Sequence, residues 1–146
     1  MLIYLVMLVP LYFMAVSDWK NRTVSIWWLA LLFLLTLSYS FSKSGAYLTA
    51  IKTGQNIAIL LILGLGLYLY SLLRNKKLRE LGGLGDLLFF IALTPLFQLE
   101  EFIQVTIVML ISSLILWSFL KAKHKLESIP LVTFCSVPLM IWLFLR

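Results

Sequence analysis

The chain has 146 residues, 62% of them hydrophobic and only 12% charged, with a formal charge of +6. Such a composition belongs to integral membrane proteins and leaves no room for a second, soluble domain, so residues 1–146 read as a single transmembrane domain. One cysteine, Cys135, excludes an internal disulfide, a four-cysteine zinc site and CxxC chemistry, and the single His124 excludes a histidine-rich metal cage.

Six apolar segments follow one another near residues 2–17, 25–41, 47–73, 85–99, 102–120 and 129–145. A spanning helix needs about 20 apolar residues, so the pattern predicts an all-α, polytopic membrane fold with about six transmembrane helices. The first segment lacks the basic n-region of a signal peptide, although Ala15-Val16-Ser17 resembles a cleavage site, and is expected to be a retained helix. The third segment carries Lys52 and Gly54 near its start, which moves its expected span to 55–73. The fourth has only a short apolar run from Leu87 to Leu99 and holds Pro95, which is expected to bend it. That run covers about 20 Å, short of a hydrocarbon core of about 30 Å.

Loop charge alternates along the chain. Lys20 and Arg22 follow segment 1, Arg74, Lys76, Lys77 and Arg79 follow segment 3, and Lys121, Lys123 and Lys125 follow segment 5. These three loops hold nine of the twelve basic residues, and the positive-inside rule places them in the cytoplasm, with both termini outside. Clustered lysine and arginine of this kind read as topology signals that meet anionic headgroups of membrane lipids, not as a nucleic-acid site. Glu100 and Glu101 mark an outer turn, and the tryptophans lie largely near span ends, as interfacial anchors do.

The only two aspartates, Asp18 and Asp86, fall on the same side of this topology at similar depth. Asp18 closes segment 1 and Asp86 opens segment 4, just after Gly82-Gly83-Leu84-Gly85. Each has an ordinary reading: Asp86 as the N-cap of its helix, and Asp18 as an interfacial acid paired with Arg22 one turn later. Acids at membrane spans are nevertheless uncommon and are functional candidates by default. Two carboxylates brought close share one proton. Aspartic proteolysis needs that arrangement: the ionised acid takes a proton from water while the neutral one polarises the scissile carbonyl. No cofactor and no metal is required. A Ser-His-Asp system has no arranged partner for His124.

Three stretches carry a resemblance. Gly83-Leu84-Gly85-Asp86 matches the GxGD motif of membrane aspartic peptidases. Asp18-Trp19-Lys20-Asn21-Arg22-Thr23-Val24 resembles the first-aspartate motif of the type IV prepilin peptidase family, and Ile129-Pro130-Leu131-Val132-Thr133-Phe134 resembles that family's IPFxPF stretch. Order and loop placement agree over nearly the whole chain. The resemblance implies a short, peptidase-only form, with an active site facing the cytoplasm, that removes the basic leader from prepilin-like or preflagellin-like proteins. In that reading Asp18 and Asp86 are the catalytic pair, and Gly83 and Gly85 shape the loop presenting Asp86. The sequence departs from the family pattern at Val24-Ser25, where Ile-Pro is common, and at Leu88, where many members carry lysine. The cytoplasmic CxxC domain of larger members is missing, so no methyltransferase activity is expected.

Glu80 and Glu127 are the remaining cytoplasmic acids. They either steer a basic leader or balance neighbouring lysines. Two other classes compete with an enzyme: a non-catalytic membrane subunit, or a small transporter using the two aspartates to bind an ion or a partner. Inverted halves of the kind transporters show are not recognisable. Presenilin-like proteases share GxGD but usually carry their first aspartate in a later span.

Overall fold

The computed structural model describes residues 2–21, 23–74, 84–123 and 131–145. Among them are five helices and no strand: α1 Leu2–Asn21, α2 Ile26–Arg74, α3 Leu84–Leu93, α4 Leu99–Lys123 and α5 Leu131–Leu145.

The two apolar segments expected at 25–41 and 47–73 are joined in α2, which is broken at Gly45 (φ 77°, ψ 168°). That backbone region is essentially reserved for glycine. A straight helix would hold residues 36 and 56 about 30 Å apart. Instead, Thr36 Oγ1 donates to the Ala92 carbonyl and Asn56 Nδ2 to the Thr94 carbonyl, each at 2.8 Å. The Ser40 and Thr49 hydroxyls also meet at 2.9 Å, where a straight helix would separate them by about 13 Å. The chain therefore folds back at Gly45, and both arms of α2 grip the same turn.

That turn replaces the bent helix expected through residue 99. α3 ends at Leu93, before Pro95, and residues 92–97 are buried. Tight bonds from the Thr94 and Leu96 amides to the Ile91 and Leu93 carbonyls close it. Asn56 Nδ2 satisfies two of its carbonyls, Thr94 at 2.8 Å and Phe97 at 3.0 Å. Irregular backbone away from water is stable only when such partners exist.

α5 packs against α1, α4 and α3, while α2 packs against α1, α3 and α4. The core joins Met7, Leu11 and Met14 of α1 to Phe89 and Leu93 of α3, Phe102 and Met109 of α4, and Val132, Cys135 and Leu139 of α5. Buried hydroxyls and an amide are hydrogen-bonded inside it, among them Thr36, Ser40, Thr49, Asn56 and Ser113. Large apolar side chains face outward along the second arm of α2, as at Leu61, Ile62 and Leu65, and along α4, as at Ile107, Val108, Ile111 and Leu114. Water-soluble monomers rarely expose so much contiguous apolar surface. Helices that pack in lipid instead bury hydrogen-bonded polar groups between them. Two helices, Ile26–Leu73 and Leu99–Leu120, are long and apolar enough to cross a membrane, and Leu84–Leu93 and Leu131–Phe144 are shorter apolar helices.

Candidate functional site

Asp18 lies three residues before the end of α1 and is only 6% exposed. Its environment is built by the first turn of α5. The Thr133 amide donates to Asp18 Oδ2 at 2.9 Å, and the Thr133 hydroxyl lies 3.0 Å from the same oxygen. The first amides of any helix have no partner within it, and the positive end of the helix dipole favours an acid there. Asp18 thus caps a helix that begins 113 residues later in the chain.

The segment after Asp18 is held in turn. Ser17 Oγ donates to the Thr23 carbonyl at 2.8 Å, drawing the connection to α2 back against the end of α1. Val24 in that connection meets Gly85. A Cβ placed on Gly85 would lie 3.2 Å from Val24 Cγ2 and 3.4 Å from Val24 Cβ. Glycine suits this approach, because a side chain there would require Val24 to give by a few tenths of an ångström.

Asp86 follows Gly85 and lies in the first turn of α3, inside the described helix and not ahead of it as an N-cap would be. It is half-buried. The Gly85–Val24 contact thus sets the start of α3, which carries Asp86, against the loop that leaves α1 after Asp18, while the start of α5 holds Asp18 itself. Cys135 sits against Ser113, 3.2 Å away, and is fully buried as a packing residue. Trp19 borders the site, edge-on to Phe134 at 6.2 Å between ring centres.

Of the residues singled out in the sequence, Asp18, Gly85 and Asp86 are brought to this region. Gly83, Glu80 and Glu127 lie outside the described residues, as does Arg22, the proposed ion-pair partner of Asp18. Among the described residues no three His, Cys, Asp or Glu side chains converge as a metal-binding group. Two contributors escaped the sequence reading. Val24 stood only as the last letter of the Asp18–Val24 stretch and as a departure from the family pattern, and Thr133 only as a letter within Ile129–Phe134. A threonine in the opening turn of the last apolar segment was the available signal for the second.

No family model, curated protein or solved structure matches the chain.

Proposed function

We propose that this chain is a membrane aspartic endopeptidase, in which Asp18 and Asp86 activate water to hydrolyse a peptide bond. The proposal rests on one contact: Gly85, which immediately precedes Asp86, is seated on the loop that leaves α1 after Asp18, whose own carboxylate is held by the start of α5. A capped Asp18 alone would suit a purely structural acid. A second carboxylate next to a glycine that packs on the loop following Asp18 suits a pair.

The fold-back at Gly45 divides α2 into two arms, which gives six helical segments and is compatible with six passes through a membrane. The positive-inside rule then sets the aspartate end at the cytoplasmic face and both termini outside. α3 covers only about 15 Å, too short to cross a bilayer core, and a locally thin membrane there would bring its half-buried Asp86 within reach of water. An extended peptide arriving from the cytoplasm, with its apolar continuation in the bilayer, reaches the carboxylates there. A prepilin-like or preflagellin-like protein has that form: a short basic leader followed by a hydrophobic helix. Glu80 and Glu127 are candidates for steering the leader.

The test is cleavage in membranes. The protein is co-expressed with prepilin-like proteins from its own genome, and the product's new N-terminus is read by mass spectrometry. Removal of the leader at one site, dependent on this chain, is the expected result. Intact substrates, in a preparation where a known prepilin peptidase cleaves them, would overturn the proposal.

A further inference from the structure

The two oxygens of Asp18 are not equivalent. Oδ2 receives the Thr133 amide at 2.9 Å and faces the Thr133 hydroxyl at 3.0 Å. The amide can only donate. The hydroxyl has one hydrogen and two acceptors in reach, Asp18 Oδ2 and the Ala15 carbonyl, each at 3.0 Å. The Ala15 carbonyl lies within α1, where the helix's own bonding already supplies it with a donor. A carboxylate is the stronger acceptor, because hydrogen bonds to an ionised group are about twice as strong as neutral ones. An ionised carboxylate only accepts, and Oδ2 is met by groups able to donate.

We infer that Thr133 is a positioning residue that occupies Oδ2 of an ionised Asp18, leaving Oδ1 as the oxygen that takes the proton from water and Asp86 as the neutral partner. The inference rests on the aspartic peptidase reading and assigns the two roles within it. In the forward step, water's oxygen bonds to the scissile carbonyl carbon while its proton passes to Asp18 Oδ1. The proton of Asp86 passes to the carbonyl oxygen, giving a neutral gem-diol. In collapse, the C–N bond breaks as the amine takes the proton from Asp18, and a gem-diol hydroxyl returns a proton to Asp86. Both acids end in their starting states.

Thr133 stands where the IPFxPF pattern has its second proline. Proline has neither an amide hydrogen nor a hydroxyl, so both contacts to Asp18 come from this chain's own residue. The hydroxyl is separable from the amide by substitution. Thr133→Val keeps the amide and the side-chain shape, whereas Thr133→Ser keeps both donors.

The experiment combines kinetics with infrared difference spectroscopy on the full-length protein in lipid at neutral pH. Thr133→Val is expected to lower kcat by about ten- to a hundred-fold with KM unchanged, the loss of one hydrogen bond to a charged group. Thr133→Ser is expected to stay within about threefold of the parent chain. In the spectra, Asp18→Asn should remove an ionised carboxylate band and Asp86→Asn a carboxylic-acid carbonyl band. Thr133→Val should shift the carboxylate band, and Thr133→Ser should leave it in place. Equal kinetic losses in the two threonine variants, or an acid band lost with Asp18→Asn, would overturn the assignment. A parent chain that cleaves nothing would overturn the peptidase reading and the two catalytic roles with it, while the spectra would still decide separately whether Thr133 holds an ionised Asp18.

Discussion

Gly85 and Val24 touch so closely that a Cβ on Gly85 would come within 3.2 Å of the valine Cγ2. This contact joins the two aspartate motifs, because Val24 belongs to the connection that leaves α1 after Asp18 and Gly85 immediately precedes Asp86. Gly85→Ala should therefore misplace Asp86 more than it destabilises the fold. Overpacking of this kind typically costs about 1–3 kcal/mol. Cleavage is expected to fall by about tenfold, and Val24→Ala introduced into the Gly85→Ala chain should restore most of it. Rates measured in the two single variants and the double variant check the coupling. Additive losses would mean that the contact does not position Asp86.

The fold-back of α2 depends on Gly45 through its backbone alone, since nothing lies within 4 Å of where its Cβ would be. Gly45→Ala should cost about 1–3 kcal/mol from the positive φ. Thermal unfolding in detergent should show a lowered midpoint for Gly45→Ala. Gly64→Ala, in a helical stretch with equally open space, should be neutral or slightly stabilising. Similar behaviour of the two variants would contradict the hairpin geometry.

Asn56 holds the buried turn after α3. Replacing it by alanine strips the donor from the Thr94 and Phe97 carbonyls, with an expected loss of about 1–3 kcal/mol. Asn56→Asp should be worse, because it keeps the size and sets an acceptor against two carbonyls. The same unfolding measurement ranks them. An Asn56→Asp protein as stable as the parent would show that the turn does not rely on this amide.

Orientation is open to direct labelling in a Cys135→Ala background. Single cysteines at Asn21→Cys, Lys76→Cys and Lys123→Cys should react with a membrane-impermeant maleimide only after the cells are opened. Ser42→Cys and Glu100→Cys should react in intact cells. The reversed pattern would place the aspartates on the outer face and remove access from the cytoplasm.

The helical architecture was legible because long apolar runs are a local signal that needs no distant partner to be read. The two arms of α2 fell close to the segments expected on either side of Gly45, although glycine in sequence does not announce a fold-back. The end of α3 was less legible. Pro95 suggested a bend in a continuing helix, whereas the chain forms a buried turn made possible by Asn56 and Thr36, residues some forty to sixty positions away. Hydrogen bonds of that range leave no periodicity to read. The candidate site divides in the same way. The aspartates stood out because acids are rare in this chain, while Thr133 and Val24 act through contacts with residues distant in sequence and carry no charge to mark them.

Both aspartates act on the substrate in the proposed reaction. Its most direct test is leader removal by Asp18→Asn and Asp86→Asn chains, each shown to be folded and present at the parent level. Either substitution alone is expected to abolish cleavage, because an amide can neither take water's proton nor return one to the collapsing intermediate. Cleavage persisting at near-parent rates in either variant would contradict that reaction.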